Sequence, residues 1–298
     1  MKLINSLKKL TLPGFKKVPT YLVLNDLYGN ISDAYFWLRA SALSYSFFFA
    51  VFPTIILLTT LIPYIPIPDL DKHLQTFLKE KLPPDAYQLI HLTVAGVFIK
   101  QGFGIISLTF VIVVFSATRG VSTLIQAFSK SDSIHFKKRS FWKDNLLSFY
   151  IFLILFLLVL LNIIIVIVGE MTFNYFQYFN NINIYGYKLL LLINSSVSLL
   201  IFYFAISFLY YQAPSTRTKW KLFSTGAFIA SLFIFLAQLG LRYYFTNFAA
   251  YNKIYGSLTA VMILMVWFYW NSICLLLGFE LNVSIDKALH NQQTISEK

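Results

Sequence analysis

Three ionisable side chains interrupt long apolar runs of this sequence and have the greatest capacity for chemistry. Arg39 stands at the start of the first run, Arg119 lies inside the second, and Glu280 comes one residue before the last run ends. A charge in the middle of a helix that crosses a bilayer costs on the order of 2.5–3.5 kcal/mol. Each side chain should therefore have a partner of opposite charge or access to water. For Glu280 the candidates are Arg39, Arg119 and water.

These charges admit two interpretations. In the first, they form ion pairs that fix helix packing, and Glu170 with Arg242 forms a second pair near the other ends of the runs. In the second, Arg39, Arg119 and Glu280 form a binding site for an anionic headgroup, which exchanges with Glu280 for the arginines. Arg242 then contacts the same substrate on the outer side. The residue types leave both interpretations open.

The elements that must position these residues are membrane-spanning helices. Of the 298 residues, 58% are hydrophobic and only 12% are charged, whereas soluble domains are about 25% charged. Runs long enough to cross a bilayer, about 20 residues at 1.5 Å each, occur at residues 40–62, 104–125, 146–169, 189–212, 222–245 and 257–281. The sequence therefore predicts an all-α transmembrane bundle of about six spans within a membrane domain of residues 36–283.

The distribution of Lys and Arg predicts the orientation of this bundle. With both termini in the cytoplasm (N-in/C-in), sixteen of the 24 Lys and Arg residues fall in inner segments and six in outer ones, as the positive-inside rule requires. The same bias accounts for most of the net charge of +12. We therefore expect no nucleic-acid partner.

Three segments outside the spans complete the predicted organisation. Residues 1–35 form a basic cytoplasmic tail, which is either an interfacial helix or a disordered stretch that sets topology. Residues 64–103 carry apolar side chains at helical spacing and predict a small helical cap on the outer face, and residues 284–298 form a second cytoplasmic tail. Within the first span, Pro53 removes a backbone hydrogen bond and predicts a kink or hinge.

Groups suited to catalysis are sparse. The four histidines match no metal-ligand spacing, Cys274 is the single cysteine, and no glycine-rich phosphate loop is present. Phosphodiester hydrolysis needs clustered carboxylates or histidines, yet the inner loops offer only Asp132, Asp144 and His135. We therefore expect no enzyme activity, no cofactor and no metal.

Three stretches of the sequence carry a more specific signal. They are RASALSYSFFFAVFPTIILL at residues 39–58, FSATRGVSTLIQAFSK at residues 115–130 and YGSLTAVMILMVWFYWNSICLLLGFELN at residues 255–282. Together they resemble the YihY/BrkB family of bacterial inner-membrane proteins. In that family the first span carries a Phe-Pro step, and the last opens with Tyr-Gly-Ser-Leu and closes with Gly-Ala-Glu. Here Phe279 replaces the Ala, and the similarity runs from about residue 34 to residue 283.

The resemblance implies a broad function. Members have been named ribonuclease BN, which is regarded as a misassignment, and virulence or serum-resistance factors, and some are suspected of moving lipids. It thus implies a multi-pass inner-membrane protein that binds or translocates an anionic amphipathic substrate, such as a membrane lipid or a lipid-linked envelope precursor. The alternative is a non-transporting scaffold that maintains the envelope, and a ribonuclease is least favoured. The oligomeric state stays open.

Overall fold

A computed structural model of the chain describes residues 14–15, 18–61, 75–76, 79, 87–88, 103–129, 139–178, 184–214, 222–247 and 258–296. These residues form seven helices and no strand. The helices are α1 (Thr20–Ser32), α2 (Ala34–Leu61), α3 (Phe103–Ser129), α4 (Phe141–Tyr178), α5 (Ile184–Gln212), α6 (Thr225–Asn247) and α7 (Leu258–Ser296). The predicted all-α class is confirmed.

Four of these helices contain stretches that are long and apolar enough to cross a membrane. The stretches are Phe110–Ser129, Phe141–Gly169, Leu192–Gln212 and Val261–Gln292, and α6 adds a shorter apolar stretch, Thr225–Gly240. The chain is therefore embedded in a membrane. The count of six spans and the N-in/C-in orientation stay predictions, and the predicted outer cap, residues 64–103, lies almost wholly outside the described residues.

Helices α2 to α7 pack into a closed ring. Each helix contacts the next one along the chain, and α7 returns to pack against α2. Helix α1 stands outside the ring and packs against α7 and α2, while α7 also touches α3. Because α7 has neighbours on several sides, residues 271–285 are buried except for the half-buried Leu277. This part of α7 positions the candidate site.

Helices α6 and α7 cross with their backbones in near contact. A Cβ atom added to Gly226 would lie 2.0 Å from the carbonyl oxygen of Gly278, and one added to Gly278 would lie 2.5 Å from the carbonyl oxygen of Gly226. Such distances are impossible for real side chains, so only glycine fits at either position. Close approach of small residues is a common way for membrane helices to associate, because lipid provides no hydrophobic force between them.

Three aromatic rings from different helices fill the core beside this crossing. Phe279 of α7 stacks on Phe128 of α3 with ring centroids 4.1 Å apart. Tyr210 of α5 meets both rings edge-on, and its hydroxyl donates a hydrogen bond to the carbonyl of Leu275. All three rings are buried. Phe279, which stands where the YihY/BrkB pattern has Ala, thus fills the space between α3, α5 and α7.

Arg139 holds the end of α5. Its guanidinium donates to the carbonyl oxygens of Ala213, at 3.1 Å, and Pro214, which follow the last turn of that helix. The end of a helix carries unsatisfied carbonyls and a partial negative charge, so an arginine there is favourable. Partial burial lowers the pKa of Arg139 from its ordinary value, and the nearby Asp144 carboxylate acts in the opposite direction. Arg139 therefore has a packing role.

The start of α6 is capped by side chains. Asn282 Oδ1 accepts a hydrogen bond from the N–H of Gly226 at 2.8 Å, and Asn282 Nδ2 donates to Ser224 Oγ at 2.8 Å. Ser224 Oγ in turn accepts a hydrogen bond from the N–H of Ala227 at 3.3 Å. The first N–H groups of a helix have no partner within it. Here Asn282 of α7 supplies a partner for the N–H of Gly226.

We expect Asn282→Leu to lower the free energy of unfolding by about 1–3 kcal/mol, because the buried N–H of Gly226 loses its acceptor. The measurement is the unfolding temperature of the purified protein in detergent. Asn271→Leu is the matched control, since Asn271 is buried in the same helix and, among the described residues, donates to the carbonyl of Trp267 in its own helix. Equal unfolding temperatures for the two variants would contradict the capping role.

Candidate functional site

The charged centre of the structure is the pair formed by Arg39 of α2 and Glu280 of α7. Arg39 Nη2 lies 2.6 Å from Glu280 Oε1, and the two side chains are only 9% and 1% exposed. Arg39 Nη1 also donates to the carbonyl of Ala127 in α3 at 2.9 Å. Of the two arginines proposed as partners for Glu280, Arg39 is the one that contacts it.

Asn30 of α1 completes the cluster and was missed by the sequence analysis. Its Nδ2 donates to Glu280 Oε2 at 3.1 Å, so each carboxylate oxygen has a donor. The two residues are 250 positions apart, and no local pattern marks Asn30. The cluster therefore joins four helices: α1, α2, α3 and α7.

The length of α7 predicts that the cluster lies near a membrane boundary. Glu280 comes 22 residues after the first residue of α7, which is about 33 Å along the axis at 1.5 Å per residue. That length matches the hydrocarbon core of a bilayer, about 30 Å. In the predicted orientation this is the cytoplasmic boundary. Helix α7 continues beyond it to Ser296, through most of the segment predicted as a cytoplasmic tail.

Arg119 lies apart from this cluster. It precedes Ala127, the contact of Arg39, by eight residues of α3, which is about 12 Å along the helix axis. It is the seventeenth of the 27 residues of α3, and its side chain is exposed on the surface of the chain. The structure thus separates Arg119 from the two residues with which the sequence grouped it.

The guanidinium of Arg119 packs on an aromatic ring of its own helix. Its central carbon lies 5.0 Å from the centroid of the Phe115 ring, and this cation–π contact stabilises the charge by about 0.5–2 kcal/mol. The cost of an arginine at the centre of a span is larger, about 2.5–3.5 kcal/mol. Within the described part of the chain no carboxylate lies within ion-pair distance of Arg119. An anion from outside that part is the expected complement.

Arginine in this setting has a specific chemical capacity. Its planar guanidinium presents five N–H donors and binds phosphate or carboxylate oxygens in pairs. Such charge-assisted hydrogen bonds are about twice as strong as neutral ones. An exposed arginine in an apolar surface is therefore suited to the headgroup of an anionic lipid.

The remaining predicted site residues are placed only in part. Pro53 lies inside α2, which continues to Leu61, and the Thr54 hydroxyl donates to the carbonyl of Ala50 at 2.7 Å in the same turn. The hinge at Pro53 stays a prediction. Glu170 and Arg242 belong to α4 and α6, but their side chains lie outside the described residues. Their pairing, and the substrate contact of Arg242, also stay predictions.

Other polar groups of the spans bond between helices. Trp267 Nε1 of α7 donates to Gln238 Oε1 of α6 at 2.7 Å, and Ser46 of α2 donates to Thr123 of α3 at 3.1 Å. Polar side chains commonly join membrane helices in this way. These residues therefore have a packing role, in contrast to Arg119.

The described residues contain no group of three or more His, Cys, Asp or Glu side chains that could hold a metal ion. Of the polar residues in the inner loops, Asp132 and His135 lie outside the described part, and Asp144 lies in the first turn of α4. A carboxylate at the start of a helix stabilises it through the helix dipole. The absence of enzyme activity stays a prediction.

A closed ring of apolar helices, joined at one membrane boundary by a buried ion pair, defines a multi-pass α-helical membrane protein. The family model described as Virulence factor BrkB matches residues 27–298. The chain therefore belongs to the BrkB family, and the resemblance seen in its motifs is confirmed.

Several curated proteins are similar to this chain. The putative ribonuclease-like protein YfkH of Bacillus subtilis is 23% identical over 249 residues, which cover 84% of this chain and 90% of that protein. A UPF0761 membrane protein of Yersinia enterocolitica is 36% identical over 101 residues, or 34% of either chain. The UPF0761 membrane protein YihY of Salmonella arizonae is 37% identical over 87 residues, or 29% of this chain and 30% of that protein. No solved structure matches.

Proposed function

We propose that this BrkB-family chain is a bacterial inner-membrane protein that binds or translocates an anionic amphipathic substrate, such as a lipid or an envelope precursor. Arg119 contacts the anionic headgroup. The observation that carries the proposal is the position of Arg119, which is exposed on α3 about 12 Å along the helix from the level of the Arg39–Glu280 pair and, among the described residues, is supported by the Phe115 ring. A charge is retained at such a cost where it has a function.

The Arg39–Glu280 pair has a different role in this proposal. Both side chains are buried, and Glu280 accepts hydrogen bonds from Arg39 and Asn30. A headgroup that displaced Glu280 would leave a buried carboxylate without its cation, which is strongly unfavourable. The pair is therefore a fixed joint that holds α1, α2, α3 and α7 together, while the substrate is bound on the exposed face of α3. Arg242 contacts the substrate near the outer boundary.

Anionic lipid should stabilise the protein through Arg119. Because a ligand that binds the folded state raises its apparent stability, we expect phosphatidylglycerol to raise the unfolding temperature of delipidated wild-type protein more than phosphatidylcholine does. This difference should vanish in Arg119→Gln and persist in part in Arg119→Lys, which keeps the charge but loses paired hydrogen bonding.

The matched control for this experiment is Lys143→Gln. Lys143 is an exposed cation in the first turn of α4, beside the membrane boundary rather than at mid-span. Its replacement should leave the preference for phosphatidylglycerol intact. An equal loss in Lys143→Gln would mean that anionic lipid binds through general surface charge, and an intact preference in Arg119→Gln would contradict the proposal.

The second candidate function is a non-transporting scaffold that maintains the cell envelope. The buried Arg39–Glu280 joint and the hydrogen bonds between helices favour it, because they build a rigid bundle without any substrate. If the protein is a scaffold, Arg119→Gln should bind lipids as wild type does. The lipids that co-purify with either protein should then match the bulk lipids of the membrane. The ribonuclease activity suggested by the name of the Bacillus subtilis relative is the least favoured, because the described residues contain no cluster of His, Cys, Asp or Glu side chains that could hold a catalytic metal ion.

A further inference from the structure

Helix α1 and the residues before it cross the end of the bundle. The carbonyl oxygen of Gly14 accepts a hydrogen bond from Thr225 Oγ1 at 3.0 Å, and Asn30 donates to Glu280 at 3.1 Å. Thr225 begins α6 beside its cap, Asn282, which lies two residues from Glu280, or about 3 Å along α7. Both ends of this segment are therefore fixed at nearly the same level of the bundle.

That level is the membrane boundary predicted from the position of Glu280 in α7. Helix α1 has 13 residues, about 20 Å at 1.5 Å per residue. Along this length α1 packs against α7 and α2.

Helix α1 presents chemically different faces. Val23 is buried against Leu281 and Ile285 of α7 in a small apolar cluster. The outward face carries the polar and small residues Asn25, Gly29 and Ser32 together with the exposed Leu22. Between these two faces lies an exposed apolar flank at spacing i, i+3 and i+7, which consists of Tyr21, Leu24 and Tyr28. We call these three residues the apolar flank of α1.

We propose that the apolar flank of α1 inserts into the boundary between lipid headgroups and acyl chains, so that α1 is an amphipathic interfacial helix. Lipid is the occupant because the flank lies at the membrane boundary and leads into exposed apolar side chains at the start of α2, Trp37 and Leu38. Tyrosine and tryptophan are enriched at this depth, and helices with one apolar and one polar face lie in the interface plane. The inference is independent of the proposed function.

Site-directed spin labelling of the full chain in lipid nanodiscs tests this proposal. The single cysteine, Cys274, is buried, and Cys274→Ala provides a background without it. Labels are attached to Leu24→Cys, Tyr28→Cys and Gly29→Cys, and their collisions with oxygen, which partitions into lipid, and with a water-soluble nickel complex are compared. A side chain at Gly29 meets no atom within 4 Å, so position 29 is a matched control one residue from Tyr28.

We expect the ratio of oxygen to nickel accessibility to be several-fold higher at positions 24 and 28 than at position 29. Leu24 and Tyr28 are both exposed, so neither substitution opens a cavity in the core, and each position tests the proposal by itself. Equal ratios at all three positions would overturn the proposal, because the flank would then face water. Protection of positions 24 and 28 from both reagents would also overturn it, because a protein surface would then cover the flank.

Discussion

Replacing Glu280 with Ala is expected to lower the free energy of unfolding by about 3–5 kcal/mol, because it leaves a buried arginine without its counter-charge. Glu280 is 1% exposed and lies 2.6 Å from the guanidinium of Arg39. Its loss also removes the acceptor of Asn30, which connects α1 to the bundle. The measurement is equilibrium unfolding of the purified protein in mixed micelles.

The control is a double variant in which Arg39→Met accompanies Glu280→Met. Removing both charges leaves no uncompensated ion in the core, and apolar replacements of buried pairs are often neutral or stabilising. We therefore expect the double variant to be more stable than Glu280→Ala and to recover most of the loss. A Glu280→Ala protein as stable as wild type, or a double variant no better than the single one, would show that the pair is not a joint of the fold.

Replacing Gly226 with Val is expected to have an effect of similar size, above about 4 kcal/mol, because a side chain cannot share the space occupied by a backbone. The carbonyl oxygen of Gly278 would lie 2.0 Å from the new Cβ. Helices α6 and α7 would have to separate, and the cap on Gly226 provided by Asn282 would be lost with the contact. We expect little folded protein to be recovered from membranes, as measured by gel filtration in detergent.

Gly240→Val is the matched control for this substitution. Gly240 lies in the same helix, α6, but a Cβ atom there would meet no atom within 4 Å. Its replacement adds the same side chain to the same helix without a collision, so we expect near wild-type recovery. If both variants were recovered poorly, the loss would be caused by valine in α6 itself and not by a collision where α6 crosses α7.

The helices could be predicted from the sequence wherever lipid determines the residue types. The run at residues 189–212 ends at the same residue as α5, and the run at residues 222–245 falls within three residues of α6 at either end. The ends of helices outside the membrane could not be predicted, because the hydrophobic pattern stops where the lipid stops. Helix α7 continues fifteen residues past the predicted end at residue 281, where α1 packs beside Leu281 and Ile285 and polar residues such as Ser284 are buried.

The candidate site could be predicted as a set of residues but not as an arrangement. Arg39, Arg119 and Glu280 stand out because charges are rare in apolar runs. The choice between the two arginines depends on their levels along neighbouring helices, which the sequence does not show. In the structure Arg119 precedes Ala127, the contact of Arg39, by eight residues of α3, so it lies about two helical turns from the level at which Arg39 meets Glu280.

The measurement that tests the proposed function most directly is mass spectrometry of the lipids that co-purify with the protein in mild detergent. Wild type, Arg119→Gln and Lys143→Gln are compared with the bulk lipids of the same membranes. We predict that an anionic lipid is enriched with wild type and with Lys143→Gln, and that the enrichment is lost with Arg119→Gln. Equal enrichment in Arg119→Gln would contradict the headgroup contact at Arg119, and bulk lipids in all three samples would favour the scaffold.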